Sequence, residues 1–304
     1  MEQRSLAEVR ALVKSHEKPA RTGRKLGEEI FFRSLMNIAS VLIVGVMGVI
    51  LVSIFYKGIS TFSWSMLTED MGSGFYLNRG GGIKNAIVGS LYLSLSATLL
   101  ALVVGLACAL CMNVYMVKFP KLLNTARFLL DLIWGVPSII YGAFGFSLMV
   151  FFGVKTSLLA GIITVALFIL PIMIRAIDEV MKTVPTGLSE SVLSMGSTRS
   201  ELSYKVYVRQ CFPGIVTAVL LAFGRAVGDA ASVLYVTGEN SKTPTSLLDN
   251  ATTLPVAIYN QINSPYAATQ DKAYASAFVL TLIILLISLL SRYISKRYQK
   301  YRIY

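Results

Sequence analysis

Histidine is almost absent from this sequence: the 304 residues include one, His16, in a polar N-terminal stretch. A histidine-based catalytic site is therefore nearly excluded. Cysteine is scarce as well. Cys108 and Cys111 lie in an apolar run and Cys211 lies close to one. None falls in an expected outer loop, so no disulfide framework is indicated. Charge is thin. Only 14% of residues are charged, against about a quarter in a soluble domain. The charges gather in short blocks, with long uncharged stretches between them, which is the arrangement a bilayer demands. A cleavable signal peptide is not expected either: the first 33 residues are mostly polar and contain no short apolar core ending at a small-residue site.

What is present is apolar length and positive charge. Hydrophobic residues make up 55% of the chain and the formal charge is +12. Lys and Arg accumulate in cytoplasmic segments because they resist translocation. That accounts for the charge without nucleic acid as a partner and makes membrane lipid the surrounding medium.

Long apolar stretches with few or no charges predict six spans. Leu35–Tyr56 lies between Arg33 and Lys57, and its 22 residues reach about 33 Å as a helix, enough for a hydrocarbon core of ~30 Å. Asn85–Val117 runs 33 residues without charge, read as one long tilted helix. A third span follows Arg127 and is interrupted at Trp134-Gly135-Val136-Pro137-Ser138, where Pro137 removes a backbone bond. The fourth covers about 157–174 and contains Pro171, a second expected break. The fifth covers about 212–236 and the sixth 273–290.

Residues 1–33 hold eight Lys/Arg, and residues 291–304 hold five with no acid. Both termini are expected in the cytoplasm, which an even number of spans satisfies. The expected organisation is an amphipathic or disordered cytoplasmic segment at 1–33, a first transmembrane helix at 34–57 and an outer loop at 58–84. A core of five further helices follows at 85–296, with an inner segment at 182–205 and an outer loop at 237–272. A basic tail closes the chain at 297–304. The run Gly80-Gly81-Gly82 lacks the Gly-Lys-Ser/Thr ending of a phosphate loop and reads as a flexible outer loop.

The inner segment is the most informative stretch. Pro185 can start a helix, Glu190 lies near that helix's N-terminus, and Gly196 breaks it. A short helix, a glycine break and a second short helix make a knob projecting from the membrane. Here the chain resembles the permease subunits of ABC importers. Their signature has Glu-Ala-Ala, three residues, Gly and then a further helix. This chain keeps Glu190 and Gly196 at that spacing, with Ser191-Val192 in place of Ala-Ala and Arg209 where many members have Pro. The resemblance narrows to the phosphate-specific permeases of the PstA type. It rests on Gly81-Gly82-Ile83, Gly89-Ser90, Val136-Pro137-Ser138-Ile139, Leu170-Pro171-Ile172 with Arg175, Gly224 through Asp229, and Leu254 through Tyr259. The family usually has Glu at the position of Asp229.

That resemblance implies the fold of a type I ABC importer transmembrane domain: all-α, polytopic, with six spanning helices and a cytoplasmic coupling helix. It implies a multi-pass protein of the bacterial inner membrane and a heterodimer with a second permease chain. It also implies two ATP-binding cassette subunits that hold ATP and Mg, and a binding protein that delivers phosphate. No nucleotide-binding loop or metal set occurs in this sequence, so the chain itself is expected to be no enzyme and to carry no cofactor. Glu190, Ser191, Gly196 and Arg199 are the expected ATPase-coupling residues.

Arg225 and Arg175 are the candidate path residues. An arginine inside an apolar span usually faces protein or water, and its planar fork of donors suits phosphate oxygens. Arg225 follows the uncharged Gln210–Gly224 stretch, which places it deep, whereas Arg175 lies nearer the inner boundary. Asp229 is four residues beyond Arg225 and is expected on the same helix face as its counter-charge. The alternatives are an internal ion pair for either arginine and snorkelling for Arg175. Asp131 is expected to stabilise the broken helix. At the level of function, a sulfate or molybdate importer and a self-sufficient secondary transporter stand beside the phosphate reading.

Overall fold

The computed structural model describes residues 23–72 and 81–299. Among these, every regular element is helical. The amphipathic helix expected before residue 23, His16 and Gly80 lie outside the described residues.

The chain divides into two compact units, Met1–Ser53 and Ile54–Tyr304. Helix α1, Gly23–Thr61, begins in the first and ends in the second. Its apolar side chains are exposed all round within the first unit, among them Val41 and Val44. α1 starts well before the boundary expected at residue 34, because helical hydrogen bonding continues through the charged residues that precede the apolar run.

The second unit opens with the short α2, Trp64–Thr68, and then α3, Lys84–Leu110. α3 continues through a π-helical turn, Cys111–Tyr115, and a 3-10 turn, Met116–Lys118. α4 is Pro120–Trp134 and α5 is Ser138–Phe152. α6 is Leu158–Met181. α7, Thr186–Ser194, and the three-residue α8, Arg199–Glu201, form the inner segment. A π-helical turn, Leu202–Tyr207, leads into α9, Val208–Gly228. α10, Leu254–Ile262, and α11, Ala267–Gln299, complete the unit.

The core is built on α3 against α6. α3 turns the small side chains Ala97, Ala101 and Ala109 inward, and α6 supplies Val165, Ile169, Met173 and Ile177. Gly105 lets the backbones approach: a Cβ there would lie 2.9 Å from Met173 Cγ. Pro171 does not break α6, contrary to its expected role. One missing hydrogen bond costs about 3 kcal/mol, whereas each large apolar side chain buried around it contributes ~1.5–3 kcal/mol.

Hydrogen bonds at the helix ends show that α3 and α6 run the same way. At the start of α6, Ser157 N–H donates to Val236 O at 3.1 Å and Leu158 N–H to Asp249 O at 2.8 Å. Near the start of α3, Asn85 Nδ2 donates to Asn240 O at 2.7 Å. Both helices therefore begin beside the loop 237–253. Their far ends also meet, because Asn113 Nδ2 donates to Asp178 Oδ1 at 2.9 Å. Two helices running the same way need the chain between them to return. α4 and α5 make that return, bent by 92° at Gly135-Val136-Pro137. Counted as one broken span, the pair joins the five helices long and apolar enough to cross a membrane and brings the candidate spans among the described residues to six. Pro137 is the N-terminal flank of α5 and Ser138 its first residue, so the expected break stands there.

Candidate functional site

Two arrangements bear on function: a knob at the end where α3 and α6 finish, and charged side chains at two levels within the helices.

Pro185, with φ −60° and ψ 135°, turns the chain into α7. Glu190 is the fifth residue of α7 and is exposed. Ser191 Oγ donates to Gly187 O at 2.7 Å, closing on its own helix. Gly196 has φ +85°, the left-handed conformation that other residues adopt at a cost. Thr198 then caps α8: Glu201 N–H donates to Thr198 Oγ1 at 3.2 Å, and Thr198 N–H to Glu201 Oε2 at 3.0 Å. Arg199 does not point outward with Glu190. Its Nη1 donates to Val114 O at 2.7 Å and anchors the knob to the π-helical end of α3, where the widened turn leaves a carbonyl free. Ser189 and the buried Tyr207 share a hydrogen bond of 3.2 Å that anchors the other side. Met195 remains 85% exposed, and Leu188 and Leu193 are exposed beside it. The knob is a rigid projection with a partly apolar tip.

Further along α6, Asp178 is fully buried. Arg127 of α4 grips it twice, Nε to Oδ2 at 3.0 Å and Nη2 to Oδ1 at 2.8 Å. Arg175 Nη1 donates to Oδ2 at 3.0 Å, and Lys182 Nζ lies 3.2 Å from the same oxygen. Arg175 also reaches Asp131 at 2.7 Å and Glu179 at 3.5 Å. Arg175 therefore sits in a network joining α4, α6 and the end of α3, six residues before α6 ends at Met181. Asp131, expected to stabilise the broken helix, does so across helices. Asp178, Arg127 and Asn113 were not singled out by sequence reasoning. Their signal was the Arg175, Asp178, Lys182 spacing on one helix face.

Arg225 stands apart. Its guanidinium lies over the Phe168 ring, 4.8 Å from the centroid. Phe168 is ten residues into α6, about 15 Å from its start, so Arg225 is near mid-span although it occupies the last turn of α9. Arg175 is about 10 Å further along α6; the two arginines form no single cluster. No acidic group among the described residues pairs with Arg225. Asp229 does not meet it, which corrects the expected pair. α9 ends at Gly228, Asp229 has extended backbone (φ −85°, ψ 125°), and four-residue helical spacing no longer applies. The Asp229 carboxylate instead accepts from Ser232 N–H at 2.9 Å and from the Ser232 hydroxyl. Arg225 opens onto a groove of about 590 Å³ between α6, α9 and α11, lined also by Trp134, Thr217, Ser288 and Arg292. No group of three His, Cys, Asp or Glu that could hold a metal occurs among the described residues.

The profile described as "Binding-protein-dependent transport system inner membrane component" matches residues 101–300. The chain belongs to this family. As a family member it is a multi-pass inner membrane component. It is similar to the phosphate transport system permease protein PstA of Yersinia pestis, 32% identical over 81% of this chain and 82% of that one. The protein of the same name from Haemophilus influenzae is 30% identical, covering 80% and 85%. Among solved structures, a bacterial alginate ABC transporter matches with TM-score 0.63 at 13% identity, covering 93% of this permease and 100% of that chain. The MetNI methionine ABC transporter, captured inward facing, matches with TM-score 0.58 at 21% identity over 70% and 94%. These two likenesses establish the importer transmembrane fold.

Proposed function

We propose that this permease is one of two membrane chains that form the translocation path of an ATP-driven importer of inorganic phosphate. The observation that carries the oxyanion reading is Arg225, a mid-span guanidinium with an aromatic neighbour and no acidic partner among the described residues. Names of relatives that are similar over four-fifths of the chain support phosphate over sulfate or molybdate. The partners are a second, related permease, two ATP-binding cassette subunits that bind ATP and Mg, and a solute-binding protein docking on the loop end. Both termini and the knob face the cytoplasm. ATP binding closes the ATPase pair, moves the knobs together and exchanges access from one side to the other. Glu190 and the apolar tip at Met195 meet the ATPase, while Arg199 and Tyr207 transmit the movement into α3 and α9. Arg225 meets the oxyanion. Arg175 holds the helices beneath it through its acidic neighbours. Asp229 steadies the turn after α9.

The experiment is to purify the complex with its partners, reconstitute it in liposomes and follow phosphate uptake beside phosphate-stimulated ATP hydrolysis. Arg225→Gln removes one charge-assisted contact and is expected to lower uptake about 10- to 100-fold. It should leave the amount of assembled complex unchanged. Normal uptake by that variant would refute the path role. Preferential uptake of sulfate by the wild type would refute phosphate.

A further inference from the structure

Phe168 is an apolar residue in the middle of an apolar helix, and its burial alone would make it core. It has two neighbours that a core ring does not need. The Arg225 guanidinium lies 4.8 Å from the ring centroid. The Tyr141 ring meets it edge-on, with centroids 5.5 Å apart and planes at 64°. The Tyr141 hydroxyl donates at 3.0 Å to the carbonyl of Ile133. That carbonyl lies in the last turn of α4, next to the 92° bend. Pro137 has no N–H to offer that carbonyl, which takes one bond from Val136 N–H at 3.2 Å; Tyr141, from the first turn of α5, reaches back across the bend and adds a second.

The contacts form a continuous line from the broken span, through two rings, to the free arginine. A cation over an aromatic face is held by the ring's quadrupole, most strongly where water is excluded. Phe168 is 4% exposed, so its ring cannot swing away. It fixes where the guanidinium rests. Without the ring, the long arginine side chain regains several rotamers and its fork of donors is no longer aimed. We infer that Phe168 is the positioning residue for Arg225, and that Tyr141 ties this position to the bend of the α4–α5 span. Opening or closing of the bend then moves the arginine, which links access to grip on the anion. This inference rests on the reading of Arg225 as the path residue.

The test compares wild type, Phe168→Leu, Phe168→Tyr, Tyr141→Leu and the double variant Phe168→Leu with Arg225→Gln, each as the full complex in liposomes. Phosphate uptake and phosphate-stimulated ATP hydrolysis are measured on the same preparations. Phe168→Leu is expected to lower uptake per ATP hydrolysed by about 5- to 30-fold, the loss implied by a desolvated cation–π contact. Phe168→Tyr keeps the ring and should restore the ratio. Tyr141→Leu should lower it in the same sense. Adding Phe168→Leu to Arg225→Gln should do nothing more, because the two residues act as one unit. A merely structural Phe168 would lower uptake and hydrolysis together and leave their ratio at the wild-type value; that outcome, or additive losses in the double variant, overturns the positioning role. A wild-type ratio in Tyr141→Leu overturns the tie to the bend. If Arg225→Gln alone transports normally, the path reading fails first, and the two failures are told apart.

Discussion

Asp178→Asn is the perturbation whose size the structure sets most directly. The carboxylate is buried and takes two hydrogen bonds from Arg127 and one each from Arg175 and Asn113. Its three cationic neighbours are themselves shielded: Arg127 is 22%, Arg175 19% and Lys182 34% exposed. The amide has the same shape but loses the charge, and one of its two ends becomes a donor facing a guanidinium. Breaking a buried pair by neutralising one partner costs about 3–5 kcal/mol, mostly because the surviving charge stays buried and unpaired. Arg175 and Lys182 keep other acidic contacts, at Asp131 and Glu179, whereas Arg127 has no second acid within ion-pair distance among the described residues. The loss therefore falls mainly on the α4 side, and the cost belongs toward the lower end of that range. The assay is thermal unfolding of the purified complex in detergent, with Glu179→Gln as control. Glu179 is 58% exposed, and an exposed pair contributes about 0–1 kcal/mol. An Asp178→Asn destabilisation no larger than that of Glu179→Gln would refute the reading of this network as the tie between α4 and α6.

Gly196→Ala adds a methyl group into open space, so its whole effect comes from φ +85°, a cost of roughly 1–2 kcal/mol. The cost is local to the knob. The prediction is phosphate-stimulated ATP hydrolysis reduced several-fold in complexes that still assemble, with Gly196→Asn less affected; wild-type stimulation in the alanine variant would remove the glycine from coupling. At the loop end, Thr245 and Ser246 N–H groups donate to Asp249 and hold its carboxyl below the usual carboxylate range. A lowered folded pKa means the turn's added stability is fully present above the unfolded value of about 3.9 and is lost as pH falls through the lowered value. Amide hydrogen exchange at Thr245 and Ser246 should therefore show protection that is constant above about pH 5 and falls only in stronger acid. Loss of that protection already near neutral pH would contradict it.

The six spans were legible because uninterrupted apolar length and blocks of charge are long-range patterns that survive errors at individual residues. Helix ends were not legible to the same degree. α6 runs to Met181, past Arg175, Asp178 and Glu179, because those side chains satisfy one another and the helix has no reason to stop at the first charge. Reading that charge as the end of the helix put Asp178 in a loop. The opposite error occurred at α9. It ends at Gly228, eight residues before the end of the stretch, about 212–236, that was assigned to one helix. That ending turned Asp229 away from Arg225. Gly196 was legible because only backbone chemistry was needed to read it. Phe168 was not, because its role depends on a residue 57 positions away and nothing in its own neighbourhood marks it.

The two arginines also show why a path residue differs from a structural one. Each is expensive inside a span, by about 2.5–3.5 kcal/mol on insertion scales. Arg175 recovers that cost within the chain through three carboxylates. Among the described residues Arg225 has only the Phe168 face, and a cation–π contact returns about 0.5–2 kcal/mol. The balance must come from something outside the described contacts: water in the groove, a group on the second permease, or the transported anion. A paired arginine would hold an oxyanion weakly, since its donors are already engaged, and an arginine with a fixed carboxylate would repel the anion outright. An arginine left short of partners, held by a ring that carries no net charge, keeps its donors available and still lets go, because conduction needs binding that is weak enough to release. Replacing Phe168 with Glu would complete the pair, quiet the charge and, on this reasoning, close the path to phosphate.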